Sequence, residues 1–278
     1  MDTLLVRRRR GTLHSAVRSP ALWLLGLLVL VAILAHVLAP FGPTEITTGG
    51  DFHPPSTTYL FGTDGNGMDV FSRVLYGARK DLLLSLAAVA IAAAVGVLLG
   101  STAGYIGGWL DSLLQRLSEI VQAFPVVMLG MAVLVALGTT LLNLTLVIAL
   151  VNIPVYFRIV RSVVLPLRES EFVEAARCAG NTNTSILVRH LLPNVWAPVI
   201  AQFTVNFAWA IQVIAGLSFL GLGVRVPEPE WGTMVQQGSD AVIRGIWWVS
   251  FAPGIAIFVT VLVLNRVGAW MERTWRVR

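Results

Sequence analysis

The chain has 278 residues, of which 56% are hydrophobic and 13% charged, and its mean hydropathy is +0.76. Soluble domains carry about 25% charged residues, so this composition excludes an ordinary soluble protein and indicates a chain solvated by lipid. The single cysteine, Cys178, excludes an internal disulfide, and the formal net charge is +5.

Long uncharged runs predict an all-α polytopic membrane protein with six transmembrane helices, because about 20 apolar residues cross a hydrocarbon core of about 30 Å. The run 120–157 is too long for one crossing, so we predict two crossings joined by a tight turn at 137–143. The other spans are predicted near 21–39, near 82–103, near 196–220 and between 244 and 266.

Six crossings place both termini on one side of the membrane. With the basic N-terminus, residues 1–20, in the cytoplasm, most arginines fall in the inner segments, as the positive-inside rule requires. Arg7–Arg10 is then a topological anchor at anionic lipid, and nucleic-acid binding is not expected. The tail 273–278 is cytoplasmic as well. The first apolar run is too long for a signal peptide.

The segment 40–81 is predicted to be extracytoplasmic. Its first part is rich in Gly, Pro, Ser and Thr and is irregular. In "MDVFSRVLYGARKDL", Val70, Phe71, Val74 and Leu75 share one helical face, which predicts an interfacial helix lying along the membrane before the second span.

The second span carries small residues at intervals of four, which favour close approach of a neighbouring helix: Ala92, Gly96, Gly100 and Gly104. We interpret this stripe as helix packing. Four prolines within or near the edges of spans predict local kinks: Pro125, Pro154, Pro198 and Pro253.

The spans lack the side chains that catalysis or ion coupling would use. There is no HExxH or GxSxG sequence, and the only lysine, Lys80, lies outside any P-loop pattern. His36 is interpreted as a structural or interfacial histidine, and Glu119 lies at the inner edge of the third span. Such a protein either conducts passively or takes its energy from a partner.

The segment "EFVEAARCAGNTNTSILVRHLLPN" is the polar exception between two apolar runs. Residues 169–178 predict a short helix with an apolar side formed by Phe172, Ala175, Ala176 and Ala179. Gly180 follows where a left-handed residue would end that helix. "NTNTS" offers caps for a second helix that ends at Pro193, with Ile186, Leu187 and Leu191 on its apolar face. The two short helices either form a rigid element that another protein binds and moves, or they lie on the bilayer as an amphipathic hairpin.

"EAARCAGNTNTSILVRHLLP" resembles the EAA loop of bacterial ABC importer permeases. Six residues match its spacing: Glu174, Ala175, Ala176, Gly180, Leu192 and Pro193. His190 lies where many relatives have an aliphatic residue, and "RHLLPN" is the form typical of the peptide/nickel branch.

Three other stretches are similar to that branch: "FGTDGNGMDVFSRVLYGAR", "GGWLDSLLQRLSEIVQAFP" and "AGLSFLGLGVRVPEPEWG". The resemblance covers roughly residues 5–270 and points to the C-type permease. Two departures are Met68, where an arginine is usual, and "LNRVGAWMERT", which lacks the aspartate often found after its glycine.

The resemblance implies an N-terminal helix followed by a five-helix type I importer core over 82–272, with a cytoplasmic coupling loop at 165–194. It implies a multi-pass subunit of the bacterial inner membrane that pairs with a B-type permease. It also implies two ABC ATPase subunits, which use ATP and Mg²⁺ and grip the coupling loop, and an extracytoplasmic substrate-binding protein. The chain itself would bind no cofactor and would not be an enzyme.

Peptides are the expected cargo, with nickel chelates or other small solutes of the same branch as the alternative. A self-sufficient carrier or channel needs a polar path, for which neutral side chains are available: Asn143, Asn152, Gln202, Asn206 and Gln212. An intramembrane enzyme is disfavoured, because no titratable constellation occurs in the spans.

Overall fold

The computed structural model describes residues 20–276, so the basic cluster Arg7–Arg10 lies outside the described residues. Within them the chain is all-helical, without a β-strand. The helices are α1 (Pro20–Ile33), α2 (Ala35–Leu38), α3 (Val70–Ile106), α4 (Gly108–Ala123), α5 (Val126–Leu137), α6 (Leu141–Leu167), α7 (Glu171–Cys178), α8 (Asn183–Ile186), α9 (Leu192–Leu217), α10 (Trp231–Val242) and α11 (Trp248–Arg276). π-helical turns at Leu187–Leu191 and Ser218–Leu222 flank α9.

Four helical stretches are long and apolar enough to cross a membrane: α3, α6, the continuous run Asn183–Leu222, and α11. Helices α4 and α5 are bent by 93° at a break and amount to a fifth span if counted together. Helix α1 is apolar but has 14 residues, too few to span alone. After one interruption it continues as α2, since the Leu34 N–H still donates to the Leu30 carbonyl at 2.9 Å. The described chain is therefore a polytopic membrane protein with four to five candidate spans.

The chain divides into two compact units. The first comprises residues 20–84 and 211–276. In it the irregular segment after α2 is held by backbone bridges between Ile46 and Met68 and between Thr63 and Asp69. Helix α10 packs against α11, where the Ser250 hydroxyl donates to the Val235 carbonyl at 3.0 Å.

The second unit comprises residues 85–210. Helices α5 and α6 form a hairpin whose turn lies at 138–140, within the predicted 137–143. Gly138 has a φ of +91°, and its N–H closes α5 on the Leu134 carbonyl at 2.9 Å. The Thr140 side chain caps α6 by accepting from the Asn143 N–H at 3.1 Å.

The predicted interfacial helix is not a separate element. It forms the first turns of α3, which runs without a break for 37 residues, about 55 Å. The buried Arg73 does not require a surface position, because it pairs with Asp64 at 3.3 Å and donates to the Pro227 carbonyl at 2.8 Å. Lys80 pairs with Glu228.

Pro193 does not end a helix, contrary to the sequence-based expectation. It lies in the first turn of α9, directly after the π-helical turn, where the Leu192 N–H donates to the Leu187 carbonyl five residues back. The widened turn accommodates Pro193, which has no N–H to donate, without ending the helix. The second helix of the loop is therefore the beginning of the long run Asn183–Leu222.

The four prolines expected to kink spans behave differently from one another. Pro125 lies at the 93° break, as the N-cap of α5. The others lie inside helices that continue past them: Pro154 in α6, Pro198 in α9 and Pro253 in α11. The break at Pro125 means that the third predicted span is not one straight helix.

Candidate functional site

Helix α7 is a short charged element between two long apolar helices. Glu171 and Glu174 lie in its first turn and Arg177 in its last, an order that complements the helix macrodipole at both ends. Ser170 precedes it in an extended conformation, and three residues, 168–170, separate the end of α6 from the start of α7.

Gly180 terminates α7 in a left-handed conformation with a φ of +81°, as the sequence predicts. The Gly180 N–H donates to the Arg177 carbonyl at 3.0 Å, and the Asn181 N–H donates to the Ala176 carbonyl at 3.1 Å. These two bonds form a Schellman motif, which satisfies carbonyls that a helix end otherwise leaves unpaired. A Cβ at Gly180 would meet no atom within 4 Å, so the requirement for glycine is conformational.

The chain turns immediately into the next helix. Thr182 is its N-cap, since its hydroxyl accepts from the Ser185 N–H at 3.3 Å. Because the following helix is continuous to Leu222, α7 is attached to a full-length span at both of its ends. A displacement of α7 is thus a displacement of the ends of two spans.

The two faces of α7 differ in exposure. Val173, at 0%, and Ala176, at 7%, are buried against the chain. Phe172 is 44% exposed, and Ala175 and Ala179 are exposed too. The four residues predicted to form one apolar side therefore separate, and three of them form an outward apolar strip.

Contacts within the second unit tie the loop to the end of α3. The Tyr105 hydroxyl donates to Asn183 Oδ1 at 2.8 Å. The Arg177 guanidinium lies over the Tyr105 ring, 5.7 Å from its centroid. Arg168, after α6, donates to the Gly104 carbonyl at 3.3 Å. The last turn of α3 is thereby fixed to both sides of α7.

A second tie joins α4 to α6. Arg161 makes a two-pronged ion pair with Asp111, with Nε to Oδ1 at 2.5 Å and Nη2 to Oδ2 at 2.7 Å. The two side chains are 25% and 14% exposed. Planar pairs of this kind fix orientation as well as distance, so the part of α6 that leads to α7 is held against α4.

The remaining predicted loop residues lie in and after the π-helical turn. His190 is half-buried, and its carbonyl accepts from Asn194 Nδ2 at 2.7 Å. Leu192 and Pro193 begin α9. Glu174 is exposed and makes no ion pair within residues 20–276.

The small-residue stripe of α3 lies against α6. A Cβ at Gly96 would collide with the Tyr156 side chain, and one at Gly100 would lie 2.6 Å from the Phe157 carbonyl oxygen. At Gly104 the nearest atoms belong to Val164, at 3.1 Å. Ala92, which begins the stripe, is fully buried.

Four of the neutral polar side chains considered for a path make hydrogen bonds with groups close to them in the chain. Asn143 donates to the Leu137 and Gly138 carbonyls, and Asn152 donates to the Ile148 carbonyl. Gln202 donates to Asn206 Oδ1 one turn later, at 2.8 Å. His36, in α2, is exposed. Among the described residues no cluster of three or more His, Cys, Asp or Glu could hold a metal ion.

Sequence reasoning missed α10 and the buried carboxylates at its start. Glu230, at 0% exposure, caps this helix by accepting from the Gly232 and Thr233 N–H groups, each at 2.9 Å. Asp81 of α3 accepts from the Trp231 N–H at 3.0 Å. An acidic residue just before an uncharged stretch is the N-cap signal that could have revealed the helix.

Comparison with known proteins identifies the family of the chain. Residues 96–277 match the family model described as "binding-protein-dependent transport system inner membrane component". The chain is 42% identical over 240 residues to a dipeptide transport system permease protein of Alkalihalophilus pseudofirmus, a match covering 86% of this chain and 79% of the relative.

Two further relatives are comparably similar. A di/tripeptide transport system permease protein of Pseudomonas aeruginosa is 39% identical, with 87% of this chain and 82% of the relative covered. A glutathione transport system permease protein of Escherichia coli is 40% identical, with 87% and 80% covered. This chain therefore belongs to the family of binding-protein-dependent transport system inner membrane components.

Proposed function

We propose that this chain is a permease subunit of an ATP-driven ABC importer that moves di- or oligopeptides across the bacterial inner membrane. The relatives named above are transport permeases for dipeptides, di- and tripeptides, and the tripeptide glutathione. An importer of nickel chelates or other small solutes is the alternative of the same branch.

The observation that carries the proposal is the construction of α7. It is short, capped at its C-terminal end by a Schellman motif, and attached to long helices on both sides. Its outward strip of Phe172, Ala175 and Ala179 is apolar and is left uncovered by residues 20–276. A rigid helix with an uncovered apolar strip is suited to insertion in a groove of another protein.

The partner that fits α7 is a cytoplasmic ATPase. The loop then works as a lever: Gly180 sets the angle of α7, Glu174 pairs with a basic group of the groove, and His190, Leu192 and Pro193 shape the connection to α9. Closure of an ATPase pair on ATP and Mg²⁺ would move α7 and the spans joined to it. This chain supplies no nucleotide site of its own in this scheme.

The complete assembly has this C-type chain beside a B-type permease, with two ABC ATPase subunits inside and a substrate-binding protein outside. Six crossings with both termini in the cytoplasm fit the arginine distribution of the sequence. In this topology α1 and α2 together form the first crossing, and α4 and α5 form a bent third one.

Purification of the tagged chain in a mild detergent, followed by mass spectrometry of the proteins that accompany it, tests the assembly. We expect a second permease and one or two P-loop ATPases in stoichiometric amounts. If the chain emerges alone or only with itself across several mild detergents, the importer proposal fails and a self-sufficient channel or carrier takes its place.

A further inference from the structure

An apolar groove runs along the second unit between α3 and the run that begins with α8. Its volume is about 830 Å³. One wall includes Ala90, Ala94 and Leu98, and the other includes Leu187, Trp196 and Phe203. Both walls belong to helices of membrane-crossing length, so the groove lies along the hydrocarbon depth of the bilayer.

Most of the polar residues in the groove lining lie towards one end. There the hydrogen bond from Tyr105 to Asn183, at 2.8 Å, joins the two walls, and the hydroxyl-bearing Thr102 and Thr184 belong to the lining. The exposed Arg177 guanidinium lies over the Tyr105 ring. The apolar groove thus ends beside the Arg177 cation. This arrangement matches a lipid, whose apolar acyl chain would lie in the groove and whose negatively charged head group would lie beside the cation.

The length of the groove suits an acyl chain. From Ala90 to Ile106, both in the lining, α3 rises about 24 Å. The hydrocarbon core of a bilayer is about 30 Å thick, so the acyl chains of one leaflet extend about 15 Å and fit within this length. An acyl chain, unlike a partner helix, ends at a head group that can carry the negative charge complementary to Arg177.

We propose that this groove is a binding site for an anionic phospholipid, with an acyl chain between α3 and α9 and the phosphate beside Arg177. The contact adds a lipid requirement to the membrane domain that is separate from the transported solute. The bound lipid would fill the space between the two walls and connect the α7 loop to the surrounding leaflet.

Quenching of Trp196 by brominated acyl chains tests the proposal. The indole lines the groove and is 50% exposed. The chain, with the subunits that co-purify, is reconstituted in phosphatidylcholine vesicles that contain increasing amounts of brominated phosphatidylglycerol. The signal of Trp196 is the difference between the wild type and Trp196→Phe. We expect the quenching to saturate at a few mole per cent of brominated phosphatidylglycerol. Brominated phosphatidylcholine should be needed in at least tenfold larger amounts to produce the same quenching.

Two pairs of variants locate the site. Arg177→Gln should raise the half-saturating amount of phosphatidylglycerol several-fold, whereas Arg116→Gln, which removes an arginine that is 81% exposed on α4, should not. Ala94→Leu should fill the groove and abolish the saturable component. Ala87→Leu, at an exposed position of the same helix outside the lining, should preserve it.

Quenching that simply follows the mole fraction of brominated lipid, whatever its head group, would show ordinary annular contact and overturn the proposal. Absence of quenching would overturn it too, because the groove would then be covered by protein. A saturable signal that survives Ala94→Leu would place the lipid elsewhere. None of these readouts depends on transport, so they are independent of the proposed importer function.

Discussion

Gly180 has a φ of +81° at the end of α7, where two backbone hydrogen bonds close the helix. A residue with a Cβ pays about 1–2 kcal/mol in this left-handed region, and a β-branched residue is the least suited to it. A Cβ at this position would meet no neighbouring atom within 4 Å. Substitutions at Gly180 are therefore expected to differ in backbone strain and not in steric clashes. A residue with a Cβ at this position therefore strains the turn that ends α7.

Gly180→Val should uncouple ATP hydrolysis from uptake while leaving the protein in the membrane. Strain of about 1–2 kcal/mol shifts a two-state population by a factor of about 5–30, so we expect uptake to fall roughly tenfold in a transport assay. Gly180→Asn is the matched control, because asparagine tolerates the left-handed conformation, and it should keep most of the uptake. If both variants showed normal uptake at equal membrane abundance, the proposed coupling of ATP hydrolysis to transport through α7 would be contradicted.

Buried charged residues explain where sequence reasoning failed at this scale. Arg73 is 1% exposed and contacts Asp64 and the carbonyls of Pro43 and Pro227. The apolar face next to it suggested an interfacial helix, but the two carbonyls that Arg73 contacts belong to segments 30 and 154 residues away. Pairing over such distances is set by the tertiary fold and cannot be read from helical periodicity.

Elements whose ends are encoded locally were predictable. Gly180 and Thr182 define the end of α7 and the start of the next helix, and Gly138 and Thr140 define the hairpin turn between α5 and α6. Each of these ends depends on a residue with a special backbone conformation or a capping hydroxyl. The length of the uncharged runs also predicted the long apolar helices that can span a membrane.

Elements whose ends depend on neighbours were not predictable. The extension of α3 to Val70 depends on partners of its charged residues. Continuation of the helix through Pro193 depends on the π-helical turn before it, a local widening for which the sequence offers no rule. The outward orientation of Phe172 likewise needed the position of α7 on the chain, because composition alone placed it with Ala176.

The ion pair between Asp111 and Arg161 makes a prediction about how α4 and α6 are held together. Asp111→Asn removes one charge from a two-pronged pair that is mostly buried, and hydrogen bonds to charged groups contribute about 1.5–3 kcal/mol. We expect a lower thermal unfolding temperature for the detergent-extracted chain. The double exchange Asp111→Arg with Arg161→Asp should recover part of the loss.

The control for this prediction is the exposed pair of Arg116 and Glu119, whose side chains are 81% and 51% exposed. Surface pairs contribute about 0–1 kcal/mol, so Glu119→Gln should leave the unfolding temperature nearly unchanged. Equal effects of Asp111→Asn and Glu119→Gln would show that the buried pair has no special role in joining the two helices.

At the scale of the whole molecule, the described chain is a multi-pass inner-membrane protein of a binding-protein-dependent transport family. Its spans carry few charges, and its most polar exposed element, α7, is attached to two of them. An energy source outside the chain is the simplest account of these features together. The proposed docking of α7 to an ATPase provides it.

ATP-driven peptide uptake by the reconstituted assembly tests this account most directly. The tagged chain and its co-purifying subunits are placed in vesicles, with the binding protein and a labelled dipeptide on one side and ATP with Mg²⁺ on the other. We predict uptake that requires both ATP and the binding protein and that falls roughly tenfold in Gly180→Val while hydrolysis continues. Uptake by the purified chain alone, without ATP, would contradict the account and identify a self-sufficient carrier or channel.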